Sequence, residues 1–561
     1  MDRPAREKRV EPAVIPAEAS RPPRRPDALT LVNVLLVLVA AFWFARNDAD
    51  ADLWGHIQYG EDLLRTGVVP TTDPYSYTAE DLPWINHEIL AEVALALLFR
   101  LGNWAIVAWK LGMGLAVIFL AYRVSKTQER SILAWLLLAS LIQYTLALGW
   151  GPRPQIFSYL FFAMLLAILH QGERRPAALW LVVPLMAVWT NSHGGFLLGL
   201  ACFGFYLITK VVLELRENGA LHRGRLASWV LLGLAAVAAT LVNPYGPGIY
   251  EGVFRELGIQ RTQVREWAAV YWLSSEWGLL KILMLLTIAG LAFSRKPMPI
   301  YQRVLLIVVL VEAQLHVRHV VFLAIAALAW LPGPFQNVWA RGFARLPPRW
   351  WAPGGLPTPP RWLVALAAAA ALFLGGAVAT RLATIRVDRR SWPVDAFEYI
   401  AQQDLKGKLV VPFNWAQYAI FTFYPDLRVS FDGRYGTVYS NEILDMNFDL
   451  IYPVDPRFRY RSPDSPPYDP TRVLSYRQPN LVLVQCGNGT GFPQACDVME
   501  SAKGWVRLYQ DPIARIYGLA SVYASAESLD FIPENVRVTR SEPLSGWVPF
   551  PATPASREAS R

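Results

Sequence analysis

The chain has 561 residues, of which 54% are hydrophobic and 17% charged, with 22 Trp and a mean hydropathy of +0.26. Soluble globular proteins carry about 25% charged residues, so this balance, with its repeated long apolar runs, excludes an ordinary soluble enzyme and indicates a polytopic membrane protein. The net charge of +9 gathers in short loops between apolar runs, as topology-setting charges do; no nucleic-acid partner is expected.

Residues 1–27 are rich in Arg, Pro, Glu and Ala without an apolar period and read as a disordered cytoplasmic tail. The run 28–46 is too long for a signal-peptide core and reads as a retained first span. A helix needs about 20 apolar residues to cross the hydrocarbon core. Further spans are expected at 104–122, 131–149, 155–170, 177–191, 195–215, 226–243, 277–294, 301–316, 319–332 and 361–380, eleven in all. Segment 88–101 is apolar but short and follows acids, so it is assigned to an interfacial helix. Residues 28–380 then form a transmembrane domain whose first outer loop is 47–103.

The tail carries seven Lys/Arg, which places it in the cytoplasm. Alternation puts loops 123–130, 171–175, 216–225, 294–303 and 334–361 on that side, and all five are basic. The opposite loops are 47–103, 151–155, 191–195, 243–246 and 316–319, and they hold five of the seven histidines. Residues 381–540 follow the last span on the outer side and suffice for a domain. There 395–403 reads as a helix, 409–413, 428–431 and 481–485 as strands, and 506–517 as a hairpin around Asp511-Pro512, together a small α/β domain. Pro-rich 347–360 reads as a linker and 541–561 as a disordered tail. Cys202 reads as a small buried hydrophobe; Cys486 and Cys496 are expected to pair in an oxidising compartment.

The chemistry concentrates in Asn47–Glu92, directly after the first span. It holds Asp48, Asp50, Asp52, His56, Asp73 and the pair His87-Glu88. Aspartates there can simply cap a helix, and Asp48 and Asp73 read that way, as structural residues. Asp50 and Asp52 stand immediately before Leu53-Trp54, at the membrane boundary. A carboxylate at that depth can deprotonate an acceptor hydroxyl or hold a divalent cation against a phosphate. His56 and His87 either bond backbone in a packed loop or face a site. Glu88 opens the interfacial helix, where an acid suits the positive end of the dipole. Zinc spacings such as HExxH and CxxC are missing. Arg153 and Arg318, at span ends, either snorkel or capture phosphate through the guanidinium fork. Lys110 and Glu312 lie inside spans, as functional groups or as a mutual ion pair. Asn191, Ser192 and His193 either line a polar cavity or make a tight reversal.

Several blocks together resemble the GT-C superfamily of membrane glycosyltransferases, and more narrowly a bacterial branch of it. They are DADLWGHIQYGEDLLRTGVVPTTDPYSYT with PWINHEILAE, then RPQIFSYL, NSHGGFLLG, NPYG, Arg318-His319 and FDGRYG at 431–436, spanning roughly 30–440. The resemblance implies a GT-C-like α-helical membrane fold of about eleven transmembrane helices with a periplasmic C-terminal α/β domain. It implies transfer of a sugar from a polyprenyl-phosphate-linked donor to a glycan, lipid or protein acceptor of the envelope. The setting is the periplasmic face of the bacterial inner membrane, with membrane lipids around a multi-pass chain. It puts Asp52, then Asp50, at the catalytic acidic position and makes Arg153 and Arg318 donor-phosphate ligands. His56, His87, Glu88, His193 and His319 would shape the acceptor side. A divalent cation, Mg or Mn, is the candidate cofactor, with Asp50 and Asp52 as its ligands. The chain departs from the pattern at Gly55, where a second aromatic after Trp54 is expected. Two other readings compete. A transporter would place broken helices and ionisable groups at the membrane midplane, whereas these polar residues concentrate at one face; in a scaffold for envelope polysaccharide or lipid assembly the acids would only cap helices.

Overall fold

The computed structural model describes residues 28–80, 82–125, 131–259, 264–348, 351–353, 359–455, 460–486, 494–542 and 545–555. The expected tail 1–27 and parts of 347–360 lie outside them. Each expected span holds a helix: α1 (Ala28–Phe44), α4 (Asn103–Ser125), α5 (Ile132–Leu148), α6 (Gln155–Gly172), α7 (Val182–Thr190), α8 (Phe196–Asn218), α9 (Arg223–Thr240), α11 (Gly278–Phe293), α12 (Ile300–Leu315), α13 (Val320–Trp330) and α15 (Arg361–Leu382). Between them lie α2 (Leu53–Thr66) and α3 (Ile89–Leu101) in the first loop, α10 (Gly248–Gly258), and α14 (Pro332–Gly342). Among the described residues α4, α6, α8 and α15 are long and apolar enough to cross alone, and Val317–Trp330 with Pro332–Gly342 forms a pair bent by 73°. The other apolar helices are shorter, so helix length does not by itself set the number of crossings at eleven.

Local chemistry sets several helix ends. Ser131 accepts a hydrogen bond from the Ala134 amide and caps α5. Gly219, at φ 68°, closes α8 in the left-handed region. Helix α13 is buried along its whole length among α4, α5, α6 and α12. Helix α15 is the opposite case: only Ala367 is buried, and Leu372 and Phe373 are 79% and 75% exposed. A helix so apolar and so bare suits lipid as its solvent.

After the last span the chain builds a six-stranded sheet of order β3-β2-β4-β6-β5-β7. Its strands are β2 (Gly407–Val410), β3 (Leu427–Val429), β4 (Leu481–Gln485), β5 (Trp505–Gln510), β6 (Ala514–Leu519) and β7 (Val538–Thr539). Strands β3, β2 and β4 run parallel, and β4, β6 and β5 antiparallel. The helices α16 (Val394–Gln402), α17 (Phe413–Phe423), α18 (Asn441–Ile451), α19 (Arg472–Ser475) and α20 (Gln494–Ser501) complete the domain. The hairpin at 506–517 appears as β5 and β6. The strand read at 409–413 stops at Val410 because Pro412 precedes α17, which the sequence reading missed. Cys486 and Cys496 are bonded, with 6.0 Å between their Cα atoms.

Two boundaries differ from expectation. The segment 541–561 is not wholly a disordered tail: β8 (Trp547–Pro549) pairs antiparallel with β1 (Arg386–Asp388), and Phe550 is 2% exposed. The first loop is also not separate from the C-terminal domain. Tyr77 N donates to Val429 O at 3.1 Å and Val429 N to Tyr75 O at 3.2 Å, so the loop covers the free edge of β3. Leu53, Trp54, Ile57, Tyr59, Tyr75 and Trp84 share one hydrophobic core with Trp415, Tyr418, Phe431 and Phe550.

Candidate functional site

Where that shared core meets the end of the helical bundle, a cavity of about 640 Å³ opens. Its walls bring together Asp52, His56, His87, Glu88, Arg153, His193 and Arg318, drawn from four loops that charge alternation places on one side. Leu148, Val317, Val320 and Val321 from the bundle form an apolar wall.

Asp52 occupies the N-cap position of α2 but makes no side-chain capping hydrogen bond. Asp50 is spent differently. Its Oδ1 accepts from the Asp52 amide at 3.1 Å and from Arg153 Nε at 2.7 Å. Arg153 also lies 3.5 Å from Asp52 Oδ2 and, through Nη1, 3.3 Å from Glu266. Burial pushes the Asp52 carboxyl above the usual carboxylate range; Arg153 opposes that rise and Asp50 adds to it. Its side chain is 28% exposed, against 15% for Asp50. Asp52 is therefore the acid open to the cavity.

A second group lies beside it. His56 Nδ1 is 3.5 Å from Glu92 Oε1 and 3.8 Å from Glu88 Oε2. Gly60 makes this possible: a Cβ there would meet the Glu92 carbonyl oxygen at 2.2 Å, so only glycine lets α2 and α3 close to this distance. Asn86 Nδ2 donates to the other Glu92 oxygen at 2.5 Å. Burial disfavours the His56 charge, but Glu92 and Glu88 outweigh it and raise the imidazole pKa to about 9. His87 and His193 approach Glu88 Oε1, each at 3.8 Å. His193 Nδ1 accepts from the Gly195 amide at 2.9 Å, and burial holds its pKa well below the ordinary imidazole value. Neighbouring Asn191 and Ser192 bond back to Ala187 and Val188 carbonyls, so this turn is both a tight reversal and a cavity wall.

Arg318 packs over the Trp267 ring at 4.3 Å and has no carboxylate within ion-pair distance among the described residues. It is a guanidinium on the cavity wall, while Arg153 is already held by acids. His319 is turned away to Glu312 at 3.0 Å and does not line the cavity. Lys110 and Glu312 do not pair with each other: Lys110 Nζ donates to the Arg46 carbonyl at the end of α1. Asp48 is 70% exposed beside Arg46. Asp73 organises its own turn, accepting from the Tyr75 and Ser76 amides at 3.0 Å.

Sequence reasoning missed Glu92, Glu256, Glu266, Gln417 and Arg434, all on the cavity wall. Arg434 belongs to the FDGRYG block. It pairs with Asp432 at 2.6 Å and Asp73 at 2.8 Å, inside the rings of Tyr59, Tyr75 and Trp84. That clamp fastens the first loop to the C-terminal domain. Gln417 explains the departure at Gly55, where a Cβ would fall 2.3 Å from Gln417 Oε1. Trp54 is core: it is fully buried, stacks on Tyr418 at 4.6 Å, and its Nε1 donates to the Pro551 carbonyl at 2.8 Å.

Two sets of residues offer carboxylate or imidazole atoms to a cation. Between Asp50 and Asp52 the Arg153 guanidinium stands where an ion would sit, so that pair does not fit the expected metal in this arrangement. His56, Glu88 and Glu92 do fit, since one ligand atom from each lies within 4.8 Å of the others.

No family model and no curated protein matches the sequence. The structure is similar to the oligosaccharyltransferase of Archaeoglobus fulgidus in its apo form, with a TM-score of 0.51 and 10% identity over 82% of this chain and 70% of that one. The fold is GT-C-like. ArnT from Cupriavidus metallidurans superposes with TM-scores of 0.49 bound to undecaprenyl phosphate and 0.46 in the apo state. Both ArnT structures are 15% identical, over 90% of this chain and 98% and 99% of ArnT. At 10% identity the likeness to the archaeal structure is one of fold. With the apolar helices, that fold makes the chain a multi-pass membrane protein with a GT-C-like bundle and a C-terminal α/β region.

Proposed function

We propose that this protein is a membrane glycosyltransferase that moves a sugar from a polyprenyl-phosphate-linked donor to an envelope acceptor. The reading rests above all on Asp52, an uncapped, partly open carboxylate at the membrane boundary of a large cavity. An acceptor hydroxyl entering the cavity gives its proton to Asp52 as its oxygen attacks the anomeric carbon. The bond from that carbon to the phosphate oxygen breaks, and the polyprenyl phosphate leaves with the electron pair. Arg318, with no carboxylate at ion-pair distance among the described residues, is placed to receive the phosphate charge. The apolar wall from Leu148 to Val321 would admit the lipid from the bilayer.

Arg153 takes a different role from the one the resemblance implies. It holds Asp50 and opposes the rise that burial imposes on the Asp52 carboxyl. A Mg or Mn ion, if used, would be held by His56, Glu88 and Glu92, supplying the positive charge that the imidazolium otherwise provides to the two glutamates. We place the cavity at the periplasmic face of the bacterial inner membrane, with the N-terminus cytoplasmic. A reporter fused after residue 385 should signal outside, and a cytoplasmic signal would overturn that topology.

The decisive experiment compares Asp52→Asn and Asp50→Asn for consumption of the polyprenyl-linked sugar, with mass spectrometry of envelope glycans and lipids. Asp52→Asn should lose about 10²–10⁴ in turnover with an unchanged melting temperature, and Asp50→Asn less. Unchanged consumption in both variants would sink the assignment. The transporter and scaffold readings both predict that result.

A further inference from the structure

A second cavity, of about 300 Å³, lies in the C-terminal domain. It sits at the carboxyl ends of β2 and β4, which are adjacent and parallel. From β2 the chain crosses through α17 to β3 on one side, while β4 lies on the other. Connections that diverge in this way leave a crevice beyond the strand ends, the usual ligand position in open α/β sheets. We infer that this crevice is a binding site for a neutral saccharide.

Among the described residues the lining carries no charged side chain, so none of them offers an ionic ligand a counter-charge. Its polar side chains among the described residues are three amides, Asn414, Asn447 and Gln485, and the Tyr452 phenol. Asn447 is 3% exposed; its Nδ2 donates to the Ile443 carbonyl at 2.9 Å, and its Oδ1 has no partner among the described residues. Asn414 Nδ2 donates to Gln485 Oε1 at 3.3 Å, which leaves Asn414 Oδ1 as an acceptor and Gln485 Nε2 as a donor. Mixed donors and acceptors from amides suit vicinal hydroxyls, which both give and receive hydrogen bonds. Phe413 and Tyr452 add aromatic faces against which the apolar side of a sugar ring can pack. The volume is at the lower end for small-ligand sites, about 300–1,000 Å³. The Cys486–Cys496 bond ties the end of β4 to α20, next to the wall residues Gln485 and Ala495.

Phe413 also lines the larger cavity. The two spaces therefore share a wall, and a glycan held in the crevice could extend towards Asp52. That use of the bound saccharide, as an acceptor, rests on the transferase reading; the binding itself does not.

The test uses the full chain in lipid nanodiscs, so that no sugar-based detergent competes, on a printed array of neutral and acidic oligosaccharides. Wild type should retain neutral oligosaccharides and not acidic ones. Asn414→Leu combined with Gln485→Leu keeps the volume and should weaken binding by about tenfold or more. Ala495→Trp should fill the crevice and abolish it. An intact Cys486–Cys496 bond and an unchanged melting temperature in the double variant show that the domain is folded. Absence of neutral-glycan binding by wild type, preference for acidic glycans, or binding that survives both changes would overturn the site. Asp52→Asn separates the two proposals. If it transfers sugar normally but binds glycan, the transferase mechanism fails and the crevice stands; if it loses transfer and no protein binds glycan, the reverse holds.

Discussion

The bundle core and the core beneath the first loop differ in how far along the chain they reach for partners. Helix α13 packs against α4, α5, α6 and α12, all apolar helices of the same bundle. Trp54 instead meets Trp392, Tyr418 and Phe550, and bonds to Pro551, 497 residues downstream. Any apolar side chain of suitable volume can serve the first core. The second needs particular shapes, because two distant segments must close around one charged cavity. Catalytic candidates sit at the second core for this reason: Asp52 precedes Trp54 by two residues, and its position depends on where that ring is anchored.

The largest effect should come from breaking the anchor. Trp54→Ala is expected to cost about 3–5 kcal/mol and to free the C-terminal domain, seen as protease cleavage after residue 383 with the bundle intact. Leu323→Ala, in the bundle, should cost about 2–5 kcal/mol and leave that protease pattern unchanged. Equal cleavage in both would deny that the two cores are separable. Gly60→Ala attacks the helix contact within the site. The Glu92 carbonyl must move to admit the new methyl, at about 1–3 kcal/mol, and the His56–Glu92 contact opens. Thermal melting reads the stability loss, and sugar transfer should fall further than stability alone explains.

A pH profile sharpens the electrostatics. A base must be ionised, and burial raises Asp52 above its usual range, so transfer should fall on acidification at a pH above the ordinary aspartate pKa of about 3.9. Removing the opposing cation with Arg153→Gln should move that limb higher still, and a downward shift would contradict the role given to Arg153. The smallest effect belongs to Asp48→Asn. That side chain is exposed beside Arg46, and stability should stay within about 0.5 kcal/mol of wild type.

Much of the site was legible because the chemistry-bearing residues lie in loops whose charge contrasts with the basic loops between the other span ends. Asp52, His56, His87, Glu88, Arg153, His193 and Arg318 all reach the cavity. His319 did not, because Glu312, one helical turn before the α12 end, takes its Nδ1. Glu92 escaped notice because it sits inside an apolar helix, where an acid reads as an isolated polar interruption. The capping alternative for Asp52 needed backbone geometry to be set aside, since an N-cap position alone does not reveal whether the carboxylate bonds the helix amides.

The sequence by itself determined that much of the chain is membrane-embedded. Long apolar runs call for a lipid solvent and leave most charged residues to the loops, because transferring charge into hydrocarbon is costly wherever it occurs. Only the tertiary structure decided which acid is available. Asp50 and Asp52 are two residues apart and chemically identical, yet Arg153 takes the first and leaves the second open to the cavity. That choice depends on a guanidinium about one hundred residues away, and on a core closed by the last described residues of the chain, so no local pattern could carry it.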